Sequence, residues 1–443
     1  MRQALDTLPI NLKGLSDYFR AGIKQPSHLM VGVEWEKIGV YKDTGRAISY
    51  SGPHGVETIL KALISQYQWT AVESENHIIA LKKNGTSVTL EPGGQIELSG
   101  QKAATLRENE KELQTHLAEI KKVSEPLGIV WLGTGVQPIS RLDEIEWTPK
   151  KRYDIMREYL KIRGPMTYDM MKKTASVQVS IDYTSEADAI EKLRLATGLA
   201  PIFSAIFANS AIANGQPSGF YSMRSQIWRQ TDPDRTGLIE PLFQPGFNFD
   251  AYRDYAMDVP MIFIIRDQNW VPMNGITFRS FFEKGHKGMV ATAGDWEMHL
   301  TTIFTEVRLK TYIEIRSIDC QKTSLGLSAA ALIKGLFYHT NARRDAEKLI
   351  ENTSPKDRSR LMREVPERGL YTAFKGKNLW GLAEKLILLA EGGLNTDDRP
   401  YLEPLKKLIL NDHKMPAEML LECFDEDGTE KEKVSALIRC AAL

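Results

Sequence analysis

Up to about residue 320, short segments alternate apolar and polar residues, the period of strands with one face on a core and one face open. In "SVQVSIDY", Val177, Val179 and Ile181 fall on one face, and Gln178, Ser180 and Asp182 on the other. "TYIEIRS" sets Ile313 and Ile315 against Tyr312, Glu314 and Arg316. "VGVEWEKIGV" alternates through its first half, so Glu34 and Glu36 share a face and Trp35 takes the other. "TLEPGGQIELSG" carries Glu91, Gln95 and Glu97 around a Pro-Gly-Gly bend. Together these segments predict an antiparallel sheet.

Helical periods lie between and after the strands. Leu113, Leu117 and Ile120 recur at helical spacing in "RENEKELQTHLAEIKKVSEPLG", and Pro126 and Gly128 close the segment. Ser185 and Asp188 have capping-box spacing before "AIEKLRLATGLA". "GLAPIFSAIFANSAIANG" is apolar but broken by Pro201, Ser204, Asn209 and Ser210, so it reads as a buried helix, not a membrane span. From about Leu327 onward the pattern is almost wholly helical. The expected organisation is one catalytic unit over 1–443: a mixed α/β sheet core at 1–326 and a mostly helical part at 327–443 packed on it without a linker.

Composition narrows the function classes. Lys plus Arg and Asp plus Glu each number 57, a balance that argues against a nucleic-acid binder working through a basic field. The three cysteines, Cys320, Cys423 and Cys440, form no CxxC pair and are odd in number. That predicts no disulfide framework, little response to oxidants and a reducing, cytoplasmic compartment. The first residues, "MRQALDTLPINLKGLSDYF", are charged throughout and read as lacking a signal or transit peptide.

Acids recur on the open strand faces without an equal number of lysines. Clustered carboxylates disfavour ionisation, so they call for a counter-charge. A hard divalent cation such as Mg²⁺ supplies it, and Mg²⁺ suggests a nucleoside triphosphate. No GxxxxGK[ST] loop is present, and "GTGVQP" fails the GxGxxG pattern, so metals and arginines would have to hold the phosphates. Arg224, Arg229 and Arg235 cluster in "SMRSQIWRQTDPDRTG", and Arg308 and Arg316 flank Glu314. By themselves, Asp232, Asp234 and Arg235 read as a stapled loop. HExxH, zinc-spaced Cys–His sets and GxSxG are absent, and Cys320 reads as a small buried apolar side chain.

The ordered set "VGVEWEKIGV", "LEPGGQIELSG", "SVQVSIDY", "RSQIWRQTDPDRTG", "YAMDVPM", "DWEMHLTTIFTEVRLKTYIEIRSID" and "YLEPL" resembles the plant and proteobacterial glutamate–cysteine ligases, from about Val31 to about Phe424. The resemblance implies an α+β, glutamine synthetase-like fold: a curved, mainly antiparallel sheet forming a funnel, with helices outside. It implies ligation of glutamate to the amine of cysteine through γ-glutamyl phosphate, the first step of glutathione biosynthesis. ATP would be co-substrate with two or more Mg²⁺, without nucleic acid or membrane partners, in a monomer or homodimer. Matched by motif, Glu34, Glu36, Glu91, Glu97 and Glu314 are the implied metal ligands. Gln178 stands where distant relatives carry a metal-binding His. Arg224, Arg229, Arg235, Arg308 and Arg316 are implied to grip phosphates or glutamate carboxylates, with Arg235 and Arg316 in catalytic roles. Trp35 replaces a frequent His and points to the other sheet face. The alternatives are a related ligase with another amine or acid, and a catalytically silent ligand sensor, against which the presence of all matched acids argues.

Overall fold

The structure, a computed structural model, describes residues 9–424 and 426–443. Residues 1–8, where part of the leader-free reading falls, lie outside the described residues. The main sheet is built from β1 (Val31–Tyr41), β2 (Thr70–Ser74), β3 (His77–Lys83), β4 (Thr86–Leu90), β5 (Ile96–Ser99), β6 (Ile129–Leu132), β7 (Ser176–Ile181), β8 (Val307–Leu309) and β9 (Ile313–Asp319). Their spatial order is β8-β9-β7-β1-β5-β4-β3-β2, and β6 pairs with the second half of β1. Every pairing in it is antiparallel.

The alternation read from sequence determines the two faces. Val177, Val179, Ile181, Ile313, Ile315, Val33 and Trp35 are buried in one large apolar core behind the sheet. Trp35 packs there so closely that a Cβ on Gly326 would lie 2.1 Å from its ring, so its side chain serves core packing. The helix Leu106–Ser124 opens with a Thr105–Glu108 capping box and buries Leu113, Leu117 and Ile120 as the period required. The helix Glu186–Ile206 is capped by Ser185 and buries its C-terminal half, Pro201 included. The chain leaves the helix after Ile206, so Asn209 and Ser210 of that apolar stretch sit in a loop.

From Thr323 onward the chain is helical apart from one two-stranded hairpin at Ala373–Asn378. The helix Thr323–Tyr338 lies against β7 and β1. The helices Pro416–Cys423 and Glu430–Ala441 fold back on each other, and Cys423 and Cys440 form a disulfide with a Cα–Cα distance of 6.5 Å. This corrects the expectation of no disulfide. The 17-residue separation carries no motif, and only the packing of the two helices, which brings their C-terminal ends together, pairs the sulfurs. Cys320 is free and buried as expected; its thiol donates to the Glu36 carbonyl at 2.9 Å, and burial pushes its pKa up to about 12. Among the described residues no helix is long and apolar enough to cross a membrane.

Candidate active site

The register of four neighbouring strands gathers the acids. Glu36 lies directly opposite Glu97, and Glu34 lies opposite Gln178. Glu314 lies opposite Ser180 on one side and Arg308 on the other. A register shift between Ile315 and Ile318 bulges β9 beside Arg316. Glu91 follows β4, and its N–H is held by the Gln95 carbonyl at 2.9 Å across the Pro-Gly-Gly bend. Gly93 has no alternative there, because a Cβ would lie 2.1 Å from the Lys172 carbonyl oxygen. The Gln95 side chain closes the bend, accepting from the Gly93 N–H at 2.9 Å and donating to the Thr174 carbonyl at 2.8 Å.

All of these side chains line one cavity on the open face of the sheet, with Arg224, Arg308 and Arg316. The charges are unevenly matched across it. Glu314 is surrounded by cations: Arg308 Nε donates to one of its oxygens at 2.7 Å and Arg316 at 3.1 Å, and Lys310 lies 3.2 Å from the other. Burial opposes its charge, but the Arg308, Lys310 and Arg316 cations prevail and hold its carboxyl well below the usual range. Glu34 and Glu36 are in the opposite position. Burial first, then repulsion from Glu97 and Glu314, raises Glu34 to about 8. Burial, then Glu91 and Glu97, raises Glu36 to about 8. Glu91 is raised in the same way, by burial and then by Glu97.

Hydrogen bonds tie the two halves. Glu36 accepts from the Ser176 N–H at 2.5 Å, the Ser176 hydroxyl at 3.0 Å and the Gln178 amide at 3.2 Å. The Gln178 oxygen accepts from Arg316 at 2.6 Å, so this residue links acid to arginine. Arg224 is almost buried, donates to the Arg316 carbonyl at 2.9 Å and leaves its buried Nε without a partner.

Two of the expected arginines do not reach the cavity. Arg235 is fully buried elsewhere, donating to Asp232 at 2.7 Å, to the Thr302 and Pro260 carbonyls and to the Tyr159 hydroxyl. Its catalytic assignment is corrected: every donor direction it uses points at the protein, and it staples a loop. Arg229 ends its short helix outside the cavity lining; among the described residues its side chain donates only to Gln226, and it faces Arg363. Helical geometry separates it from Arg224, because residues five apart lie on different faces.

In their place the structure brings Lys150 and Arg152 into the cavity. They ride on the start of the helix Lys151–Leu160, which Tyr153 anchors by donating to the Leu90 carbonyl at 2.6 Å. Burial, then the neighbouring Arg152 charge, lowers Lys150 to about 8, and Arg152 Nε is buried without a partner. A signal for both was present in "TPKKRYDIM": three cations at a helix N-terminus oppose the macrodipole, and that arrangement calls for an anion. Met156, Met171, Trp228 and Phe304 supply an apolar wall.

The glutamate-cysteine ligase family 2 (GCS2) profile matches residues 30–435. Glutamate–cysteine ligase B, chloroplastic, of Oryza sativa subsp. japonica is 38% identical over 424 residues, 95% of this chain and 85% of the relative. The chloroplastic glutamate–cysteine ligase of Brassica juncea is 39% identical over 95% of this chain and 82% of its own length. The Arabidopsis thaliana enzyme is 38% identical over 95% and 81%. These relatives are chloroplastic, which overturns the expectation of a cytoplasmic protein. A crystal structure of glutamate–cysteine ligase from Francisella tularensis in complex with AMP superposes with a TM-score of 0.55 at 12% identity, covering 93% of this chain and 88% of that one. A bifunctional glutathione synthetase from Pasteurella multocida gives 0.51 at 11% identity, over 96% of this chain and 53% of that one. Both likenesses concern the fold, and they agree with the mainly antiparallel sheet and outer helices expected from the sequence. The family match spans sheet and helical part alike, and the chain belongs to glutamate-cysteine ligase family 2.

Proposed function

We propose that the funnel joins the γ-carboxylate of glutamate to the amine of cysteine at the expense of ATP, giving γ-glutamylcysteine, ADP and phosphate. The observation that carries this reading is the divided charge of the cavity. Glu34, Glu36 and Glu91 are acids short of counter-charge on one wall, while Arg152 and Arg224 keep buried donor groups without partners on others.

The donor set fits Mg²⁺, because it is made of oxygen atoms and its acids are destabilised by one another. Among the described residues no group of three or more His, Cys, Asp or Glu is arranged to hold a metal ion. Mg²⁺ is commonly held by one or two carboxylates, with waters and substrate phosphates completing its shell. Glu34, Glu36, Glu91 and Glu97 would hold it, and when bound it neutralises phosphate charge.

The chain's own residues then orient the reactants. Arg224, Arg316, Lys150 and Arg152 draw the triphosphate and the glutamate carboxylates together, positioning a γ-carboxylate oxygen for in-line attack on the γ-phosphorus. ADP leaves, and the acyl phosphate is exposed to the cysteine amine, which attacks the carbonyl carbon and expels phosphate. The apolar wall of Met156, Met171, Trp228 and Phe304 suits the cysteine side chain and sheds water from the acyl phosphate. Residues 1–443 act as one catalytic unit in this reading.

Trapping the intermediate tests the reaction class. With ATP, Mg²⁺, glutamate and hydroxylamine but no cysteine, the protein forms γ-glutamyl hydroxamate and releases ADP; omitting ATP or Mg²⁺ abolishes both. Release of AMP and pyrophosphate would refute acyl-phosphate chemistry. ATP turnover that another amine stimulates and cysteine does not would redirect the substrate assignment.

A further inference from the structure

A second cavity, about 660 Å³ in volume, lies on the other side of the sheet from the acids, between β3–β5 and the helix Leu106–Ser124. It is separate from the funnel: Leu98 forms part of its wall, while its strand neighbour Glu97 points into the funnel. Its size falls within the ordinary range for small-molecule sites.

The floor is flat and apolar. Trp69 is nearly buried and fixed in orientation, its indole N–H donating to Glu119 at 2.7 Å. His116 lies edge-on to it, with ring centroids 6.5 Å apart. Burial, then the Lys37 charge, holds His116 well below its ordinary pKa, so the ring is neutral, and neither of its nitrogens has a hydrogen-bond partner. Buried side chains are rarely left in that state.

The charged groups around this floor are not equally free. Both oxygens of Glu119 are engaged, one by Trp69 and the other by Lys83 at 2.9 Å. Glu112 accepts from the Gln101 N–H and the Thr86 hydroxyl. Glu108 is used in the helix cap. The cations are not all engaged. Lys83 is held by Glu119, and Lys102 is paired with Asp182 at 3.8 Å and lies over the Tyr312 ring at 4.6 Å. Lys111 is exposed at the rim, and its ammonium has no ion-pair or hydrogen-bond partner among the described residues. The carboxylates are spoken for and the Lys111 ammonium is not, so a complementary occupant brings negative charge.

We propose that this cavity binds a small organic anion with a flat apolar body, seated on Trp69 and Leu98 with its acidic end toward Lys111. An aromatic sulfonate or carboxylate is the chemical class. A simple inorganic anion does not suit the floor, and a neutral hydrocarbon leaves Lys111 unmatched.

Anilinonaphthalene sulfonate is a fluorescent probe of this class. Titrated into the full-length protein, it shows one saturable site by fluorescence enhancement, and saturating ATP with glutamate does not displace it. Two exposed positions on the helix face at the mouth test the location without touching the core. Lys111→Glu reverses the charge and Thr115→Trp fills the opening. Each weakens the probe by about tenfold or more, the scale of one close charge contact or a blocked mouth, while ATP turnover stays at the wild-type level. Displacement by ATP and glutamate would place the probe in the funnel and overturn the proposal. So would absence of a saturable site, or wild-type affinity in both variants. None of these outcomes bears on the ligase reading, which the hydroxamate assay tests by itself.

Discussion

Replacing Glu36 by Gln exposes the repulsion that the funnel stores. In the wild type this carboxyl is raised from its ordinary 4.5 to about 8, by burial and then by Glu91 and Glu97. A raised acid binds its proton more tightly when folded, so its contribution is fully present below about pH 4.5 and is lost as pH rises through about 8. At about 1.4 kcal/mol per unit, ionising it in the metal-free fold costs at most about 5 kcal/mol. Glu34 and Glu91 are raised by the same crowding, so the isolated effect of one substitution is smaller, about 3 kcal/mol. Gln is neutral at every pH. Its oxygen still accepts from Ser176, but its NH2 then faces the Gln178 amide, which loses its 3.2 Å acceptor at a cost of about 1 kcal/mol. Metal-free Glu36→Gln is therefore less stable than wild type by about 1 kcal/mol near pH 5, and more stable by about 2 kcal/mol near pH 9. At about 2 cal/mol/K of unfolding entropy per residue, each kcal/mol moves the Tm of a 443-residue chain by about 1 °C. Scanning calorimetry in chelator across that pH range reads the difference directly. Added Mg²⁺ with ATP stabilises the wild type at the alkaline end, and the variant loses both this gain and ligase turnover. Parallel Tm curves for the two proteins, with no change of sign, would show that Glu36 is not under repulsion and would sink the argument.

Arg316→Lys keeps the charge beside Glu314 but loses the planar fork that also holds Gln178, so turnover falls by about tenfold to a thousandfold, about 1.4–4 kcal/mol, with wild-type kinetics as the contrary result. Arg235→Ala strips the closer of two arginine partners from buried Asp232, leaving Arg163 at 3.4 Å, and a loss of about 3 kcal/mol appears in chemical denaturation; an intact fold with turnover selectively abolished would restore Arg235 to the active site. Cys423→Ser opens a 17-residue covalent loop and lowers stability under oxidising conditions by about 3 kcal/mol, an effect that vanishes when both proteins are compared in reductant.

Some of this protein was decided by local chemistry, some only by long-range packing. On a strand, side-chain direction has a period of two residues, so the amino-acid order was enough to put Glu34 with Glu36, and Glu314 with Arg316, on one face. The same alternation placed Trp35 in the core and Cys320 proved buried, because apolar burial follows composition at each position. Register was another matter. That Glu36 meets Glu97 across the sheet, and that Arg308 meets Glu314, depends on turns and pairings between segments far apart in the chain. Charge type did not reveal which arginine faces the funnel: Arg224, Arg229 and Arg235 share one short polar segment, yet helix phase and a buried carboxylate send only Arg224 into the cavity. Lys150 and Arg152 enter because Tyr153 pins their helix to the end of β4, and Cys423 finds Cys440 because two helices pack with their C-terminal ends together. The sequence by itself determined which residues could share a face. The tertiary structure alone decided which faces meet, because those contacts join segments whose separation along the chain leaves no local period to read.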